Sequence, residues 1–395
     1  MLAALSPGAK LFLLGSVLGS FAGSLHGLYF NLYLKALGYG QDLIGVLSAI
    51  PGFVVTGLAL GAGLLAGRVG CKKLLLFGMG FQGVAWVLPV VLPVPGWLLA
   101  AAFLGGVGGA LGGVAGGPLL SELAEGRARE RLFGVHAGLA VLAGMLGSAL
   151  GGLLPGFLAA RFAFASEPAA AYRAVLALGF GLFFLSLFPV LALPRGQGGL
   201  GMSPRQLLSQ RRFLAQLAVI NGLIGLGAGL LLPFVNLFFK LRFSVPDPIL
   251  GLIFSLNSLL IGLGNLLSPL LAQRMGRIRL VVLCQALSLP FFFLWGYASP
   301  LSLATLGYLV RTALMNLASP MFTVEVFERV PPQLRGGVSA VFMVFWNGGW
   351  ALGSLASGYV QVRWGFAPLF PATALLYSLA IYHTAKALGG VRTRV

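Results

Sequence analysis

Long apolar runs, separated by short charged or Pro/Gly-rich segments, constrain this chain most strongly. A helix needs about 20 apolar residues to cross the hydrocarbon core of a bilayer, and the sequence divides into twelve runs of that length. Their approximate limits are 10–34, 42–67, 74–93, 97–120, 132–158, 172–193, 213–239, 248–273, 278–298, 301–323, 336–361 and 366–388. Since backbone polar groups in lipid must bond within their own segment, the pattern predicts an all-α integral membrane protein with twelve transmembrane helices.

The basic residues predict the orientation of these spans. With the N-terminus inside, 19 of the 26 Lys and Arg residues fall on the cytoplasmic side, 6 fall outside, and Arg311 lies within a span. This excess is typical of cytoplasmic loops, so we expect a multi-pass protein of the inner (cytoplasmic) membrane with both termini cytoplasmic. The net charge of +18 then reflects topology and attraction to lipid headgroups, and it needs no nucleic-acid partner.

The longest connector divides the chain into two six-span parts. Residues 194–212 are first Gly-rich and then basic and amphipathic, which is typical of a cytoplasmic linker ending in a short interfacial helix. We therefore predict an N-terminal half at 1–193, the linker at 194–212 and a C-terminal half at 213–395. Two cysteines are too few for a disulfide framework or a metal cluster, and we expect no metal and no cofactor.

The two halves resemble each other in sequence. "NLYLK" at 31–35 matches "NLFFK" at 236–240, and "LAGRVGCKKLLL" at 65–76 matches "LAQRMGRIRLVV" at 271–282. "LGSALGG" at 146–152 matches "LGSLASG" at 352–358, and Glu-x-x-Glu recurs at 122–125 and 325–328. These matches keep one order and nearly one shift, so they predict two parallel halves related by a pseudo-twofold axis along the membrane normal.

The loop after the second span resembles motif A of the major facilitator superfamily. The family pattern G-x-x-x-D-R-x-G-R-[RK] is here carried by Gly63, Gly67, Arg68, Gly70, Cys71 and Lys72. In the second copy Gln273 takes the acid position, ahead of Arg274, Gly276 and Arg277. The resemblance implies the fold of that family and a latch at the inner gate. Since the acid is missing from both copies, Glu122 and Glu325 are candidates to face Arg68 and Arg274; the alternative is that these loops only anchor the spans.

The run "GSALGG" at 147–152 resembles motif C of the antiporter branch of that family, with Ser148 in place of Pro. Such a run permits close helix approach. The motif favours efflux weakly, and ordinary packing of small residues is the alternative.

All eight Asp and Glu residues map to span ends or loops. Asp42 and Asp247 stand at the starts of spans 2 and 8, where an acid favours a helix N-terminus. No carboxylate lies at mid-membrane, but His26 lies well inside the first span, with Tyr29 on the same helix face. His26 is therefore a candidate proton carrier or substrate contact; the alternative is a neutral histidine hydrogen-bonded between helices.

Arg311 lies in the middle of the tenth span, in "LGYLVRTALMNLASP", and the corresponding stretch of span 4 has no charge. An arginine at a helix centre costs about 2.5–3.5 kcal/mol on insertion scales, so a ligand or gating role competes with a purely structural amide network. The other candidates for substrate contact are polar or aromatic residues inside spans: Tyr308, Asn316, Trp346, Asn347, Trp350, Asn257, Asn221 and Gln285. Lipid contact or core packing is the alternative for each Trp.

These features together favour a secondary transporter that moves a small organic solute by alternating access. The candidate cavity residues suit an amphiphilic solute, with an anion as one candidate, and export by proton antiport is slightly favoured. A sugar-like importer or facilitator and a non-transporting receptor are the alternatives. No enzyme motif is present in the sequence, so we expect no enzyme activity. The expected partners are the solute, membrane lipids and protons, and we expect a monomer.

Overall fold

The computed structural model describes residues 5–162, 167–193, 210–331 and 334–389, and within them the chain forms 13 α-helices and no β-strand. The bounds are α1 Pro7–Ala36, α2 Gln41–Val69, α3 Cys71–Val91, α4 Pro95–Glu122, α5 Gly126–Phe162, α6 Pro168–Leu191, α7 Arg211–Leu231, α8 Val235–Phe243, α9 Asp247–Met275, α10 Arg277–Tyr297, α11 Leu301–Glu328, α12 Arg335–Trp364 and α13 Leu369–Leu388. The prediction of an all-helical chain is confirmed. Most of the predicted linker, 194–212, lies outside the described residues.

Eleven helical segments of the described chain are long and apolar enough to cross a membrane, and they coincide with the first eleven predicted spans. The twelfth predicted span is the helix α13. It carries His383 and Lys386 near its end.

The sequence repeat has a counterpart in the backbone. Gly70 ends α2 at φ +88°, and Gly276, 206 positions later, ends α9 at φ +84°. Only glycine adopts this region without strain, so the same residue makes the same sharp turn into the next span in both copies. Gly38 at φ +90° corresponds in the same way to Ser244 at φ +50°.

The seventh predicted span, 213–239, is not one continuous helix. A 3₁₀ turn, Leu232–Phe234, separates α7 from α8. Pro233 within this turn has no N–H and cannot continue an α-helix without strain. Leu232, the first residue of this turn, lies at the wall of a cavity.

The chain divides into two compact units, residues 1–201 with 236–258 and residues 202–235 with 259–395. In the first unit α1 packs along α5 and α6, and α4 packs between α2 and α3. Here the run at 147–152 has the role expected from its small residues. A Cβ on Gly147 would lie 2.9 Å from the Phe21 carbonyl oxygen, and one on Gly152 would lie 2.9 Å from the Gly251 Cα.

In the second unit α7 packs on α12 and α13, and α10 packs on α11 and α13. Its buried core includes Ile220, Val281, Cys284 and Val326. Cys284 is a free thiol, as is Cys71 in the first unit. The predicted division into halves at 194–212 stays a prediction.

Candidate functional site

A cavity of about 510 Å³ lies within the second unit, among α7, α10, α11, α12 and α13. Its walls are formed by Asn221, Ile224, Leu232, Gln285, Arg311, Met315, Asn316, Ser319, Phe322, Thr323, Ser339, Phe342, Met343, Trp346 and Tyr377. Small-molecule sites commonly have volumes of about 300–1,000 Å³ and apolar walls with a few polar groups. We call it the Arg311 cavity.

Helical spacing places the polar residues of α11 on one face. Arg311, Met315 and Asn316 are followed by Ser319, one further turn along, and all four line the cavity. Residues three, four, seven or eight apart share one side of a helix. This explains how the unusual arginine of the tenth span reaches the same space as an amide and a hydroxyl.

Arg311 is held by aromatic side chains. Only 3% of its surface is exposed, and its Nη2 donates a hydrogen bond of 2.8 Å to the Tyr377 hydroxyl. Its Cζ lies 4.7 Å from the ring centroid of Phe292 and 5.5 Å from that of Tyr377. Cation–π attraction in a desolvated site contributes up to about 2 kcal/mol. The guanidinium is therefore fixed in orientation without a carboxylate.

Two buried polar atoms at this cavity have no hydrogen-bond partner within the described chain: the Nε of Arg311 and the Oε1 of Gln285. Gln285 is 5% exposed. Most buried polar atoms in proteins are satisfied, so each such atom indicates a missing partner. A bound solute or an ordered water meets this need.

The two asparagines of the cavity wall each donate one amide N–H to a carbonyl oxygen of their own helix. Asn221 donates from Nδ2 to the Leu217 oxygen at 2.9 Å, and Asn316 donates from Nδ2 to the Thr312 oxygen at 2.9 Å. Since a carbonyl oxygen only accepts, these bonds fix which end of each amide is the nitrogen. The amide oxygens remain as acceptors.

The other predicted residues of the second unit lie outside the cavity wall. Tyr308 is buried with its ring centroid 5.1 Å from that of Trp295. Asn347 donates to the Met343 oxygen at 2.8 Å. Trp350 lies beside Trp346 with ring centroids 6.4 Å apart. Substrate contact by these three side chains stays a prediction.

The predicted residues of the first unit have other surroundings. The ring of His26 stacks between Trp86 at 4.5 Å and Phe30 at 4.8 Å, both measured between centroids. Tyr29 donates to the Gly151 oxygen at 3.0 Å. The Oδ1 of Asn257 is buried and has no partner in the described chain.

A polar network at one end of the first unit was not predicted from the sequence. The Asp247 carboxylate pairs with Lys240 at 2.5 Å and accepts from the Tyr172 hydroxyl at 3.2 Å. Tyr172 in turn stacks on Tyr29 at 5.1 Å. The placement of Asp247 in the first turn of its helix is as expected. We call Lys240, Asp247, Tyr172 and Tyr29 the outer network, because the predicted topology puts them on the outer side.

The predicted gating residues have partly different partners from those expected. Glu325 accepts from Arg329 at 2.7 Å and lies 3.8 Å from Arg277, and Arg277 also pairs with Glu328. Arg274 is therefore not the partner of Glu325. Arg329 follows Glu325 by one helical turn, and this proximity decides the pairing.

In the first copy, Lys72 donates to the carbonyl oxygens of Leu191, at 2.7 Å, and Leu193. It caps the C-terminal end of α6, where a cation is favourable. Arg68 and Glu122 are exposed in the last turns of α2 and α4. Their gating role stays a prediction.

The structure thus brings Arg311, Asn316, Asn221 and Trp346 together with Gln285. Tyr377 and Phe292, which hold the guanidinium, were not predicted from the sequence. Both are aromatic residues in otherwise apolar spans, and no local pattern distinguishes them from packing residues. A search for aromatic partners of Arg311 would have included them.

Eleven helical segments of the described chain are long and apolar enough to cross a membrane, and a mainly apolar cavity with a few polar side chains lies among them. This combination is typical of a membrane transport protein. The family model described as Major Facilitator Superfamily matches residues 12–354. The chain belongs to this superfamily of transporters, as its motif resemblance implied, and the predicted fold class is confirmed.

Among curated proteins, the chain is 24% identical over 196 residues to the multidrug resistance protein MdtH of Salmonella typhimurium. This match covers 48% of the chain and 46% of the relative, so the chain spans about half the length of that relative.

Among solved structures, the nucleoside transporter NupG is similar with a TM-score of 0.77 at 14% identity, over 98% of this chain and 100% of that one. A bacterial homologue of the lysosomal transporter Spinster, inward-facing and occupied, has a TM-score of 0.72 at 14% identity, over 96% of both chains. At these identities the likeness shows the fold alone.

Proposed function

We propose that this protein is a secondary active transporter that moves a small amphiphilic organic solute, with an anion as one candidate, by alternating access, and that the Arg311 cavity is its solute site. Export is slightly favoured over import. The solute binds in the cavity, contacts Arg311 through an acceptor group and packs its apolar part on the aromatic wall.

The observation that carries this proposal is that Arg311 is a buried positive charge with no carboxylate beside it in the described cavity wall. It is a permanently charged side chain, and no Asp or Glu is among the described residues that line its cavity. Intramembrane charges are costly and usually functional. Arg311 lines a cavity of solute size, and a solute with an acceptor group would provide the guanidinium with a partner.

The direction of transport and its coupling are inferred from other parts of the chain. The glycine run at 147–152 and the partial likeness to a multidrug resistance protein both favour export. His26 is the candidate for proton coupling, because it is a titratable side chain well inside the first span. Proton antiport is therefore part of the proposal.

A sugar-like solute is the second candidate. The amide oxygens of Asn221, Asn316 and Gln285 accept hydrogen bonds from hydroxyl groups, and the protein NupG, which has the same fold, is described as a nucleoside transporter. In this alternative Arg311 binds a neutral acceptor, such as a hydroxyl or carbonyl oxygen.

Cysteine accessibility tests alternating access without knowledge of the solute. We would introduce Ser319→Cys at the cavity wall, after replacing Cys71 and Cys284 by Ser. A membrane-impermeant maleimide is then applied to right-side-out and to inverted vesicles. Labelling from both sides is expected, because the cavity opens alternately to each.

Leu266→Cys is the matched control. Leu266 lies on α9 with 73% of its surface exposed, and in a membrane this face meets lipid, so no labelling is expected from either side. Labelling of Ser319→Cys from one side only would contradict alternating access and favour a receptor.

A further inference from the structure

We infer that the Arg311 cavity takes a solute with two polar groups of opposite kind on a flat apolar frame: an anionic acceptor for Arg311 and, next to it, a hydroxyl or ammonium donor for the amide oxygens of the cavity wall. This inference rests on the proposed function of the cavity as the solute site. It restricts the range of candidate solutes from all amphiphiles to a class that includes aromatic hydroxy acids and amino acids.

The anionic group follows from the geometry around Arg311. A guanidinium has five N–H donors in a planar fork, and Tyr377 takes one of them. The Phe292 and Tyr377 rings hold the guanidinium, and its Nε is buried without a partner in the described chain. An oxyanion satisfies such a fork with charge-assisted bonds, which are about twice as strong as neutral ones.

The donor group follows from an excess of acceptors. Asn221 and Asn316 donate to carbonyls of their own helices, which leaves their oxygens as the unused ends of the amides. The Oε1 of Gln285 is buried without a partner in the described chain. A solute with only an anion would leave these oxygens unsatisfied and would bring its own negative charge close to them.

The flat apolar frame follows from the remaining wall. Phe322, Phe342, Trp346, Met315 and Met343 line the same cavity. Aromatic rings favour stacked or edge contacts with other rings, and methionine adapts to irregular shapes. A volume of about 510 Å³ accommodates a fused ring system with a short polar chain.

Three probes with one indole frame test the inference: indole-3-lactate has an anion and a hydroxyl, indole-3-propionate lacks the hydroxyl, and indole-3-lactamide lacks the charge. Binding to the purified full-length protein is measured by calorimetry and by thermal shift. A buried acceptor left unsatisfied costs enough to weaken binding by about fivefold or more. We expect indole-3-lactate to bind at least about fivefold more tightly than either of the other two probes.

The variants Gln285→Met, Asn316→Leu and Asn221→Leu each remove one acceptor at nearly constant size. In at least one of them the preference for indole-3-lactate over indole-3-propionate should fall to about twofold or less. Ser378→Ala is the control: Ser378 lies on α13, bonds to the Ala374 oxygen and does not line the cavity, so the preference should persist.

Equal binding of indole-3-lactate and indole-3-propionate by the wild-type protein would overturn the inference, as would binding of none of the three probes. A preference that survives in all three acceptor variants would also overturn it and would mean that ordered water, not the solute, satisfies the amide oxygens. Labelling of Ser319→Cys from both sides in the same preparation separates these outcomes from failure of the transport proposal. If Ser319→Cys is labelled from both sides but the wild-type protein shows no preference among the probes, the transport proposal is retained and only the solute class is rejected.

Discussion

Replacing Arg311 by Gln distinguishes a binding role from a structural one, because the stabilising and destabilising contributions of this residue nearly cancel. Its hydrogen bond to Tyr377 involves a charged donor and contributes about 1.5–3 kcal/mol. Its contacts with the neighbouring rings add about 0.5–2 kcal/mol. Against these stands an insertion cost of about 2.5–3.5 kcal/mol for an arginine at the centre of a span.

The net effect of Arg311→Gln on the free energy of unfolding should therefore lie between a gain of about 1.5 kcal/mol and a loss of about 2.5 kcal/mol. The effect of the same substitution on solute affinity should be larger, and it should always be a loss. Loss of a charge-assisted bond to an anion weakens affinity by about 10- to 150-fold. The expected result is a thermal midpoint shifted by a few degrees and a dissociation constant for indole-3-lactate raised by about 10- to 150-fold.

Thermal unfolding in detergent and calorimetric titration of the same preparations measure the two effects. Tyr377→Phe is an informative second variant, because it keeps the ring against the guanidinium and removes only the hydroxyl. It should retain most of the binding. If Arg311→Gln unfolds far more readily while its folded fraction binds as the wild type does, the arginine is structural and the reasoning is refuted.

Three further predictions address packing, the outer network and coupling. Gly353→Ala places a methyl group against a backbone oxygen of α7, and because overpacking costs about 1–3 kcal/mol, the variant should unfold at a lower temperature than the wild type. Gly222→Ala is the control and should keep the wild-type stability, because a Cβ at this position meets no atom within 4 Å. Asp247→Asn weakens the pair with its lysine in the outer network and should lower stability by about 1 kcal/mol, more than Asp42→Asn at an exposed position. His26→Ala should weaken the response of indole-3-lactate counterflow in liposomes to a pH gradient, since it removes the candidate proton carrier.

Each of these predictions has an opposite outcome. Equal stability of the two alanine variants would mean that α7 and α12 approach less closely than described. An equal effect of the two asparagine variants would remove any special role for the outer network. An unchanged response to the pH gradient would remove His26 from the coupling mechanism.

The sequence was sufficient to predict the helices, because membrane-spanning runs are long and the bilayer fixes their length. It also located the acids at helix ends and the anomalous charge of Arg311. The repeat predicted which turns correspond, and the positive φ angles of Gly70 and Gly276 agree with it.

The partners of Arg311 could not be predicted from the sequence. Tyr377 is 66 positions away and Phe292 lies on another helix, so their contact depends on how α10, α11 and α13 are rotated about their axes. Small differences in packing set that rotation, and apolar periodicity is weak in helices that are apolar nearly all round. The pairing of Glu325 with Arg329 was not predicted for a different reason. The repeat indicated a pair between residues far apart in the sequence, whereas Arg329 lies one helical turn from Glu325.

Counterflow in proteoliposomes tests the central claim, that Arg311 in its cavity binds the transported solute, most directly. Wild-type protein and Arg311→Gln, matched for folded content, are reconstituted with unlabelled indole-3-lactate inside and radiolabelled indole-3-lactate outside. We expect the wild type to accumulate label transiently. The variant should lose at least nine-tenths of the initial rate, because its affinity for indole-3-lactate should be about tenfold or more weaker. Equal initial rates in the two proteins would contradict the central claim, whereas no accumulation by the wild type would reject only indole-3-lactate as a solute.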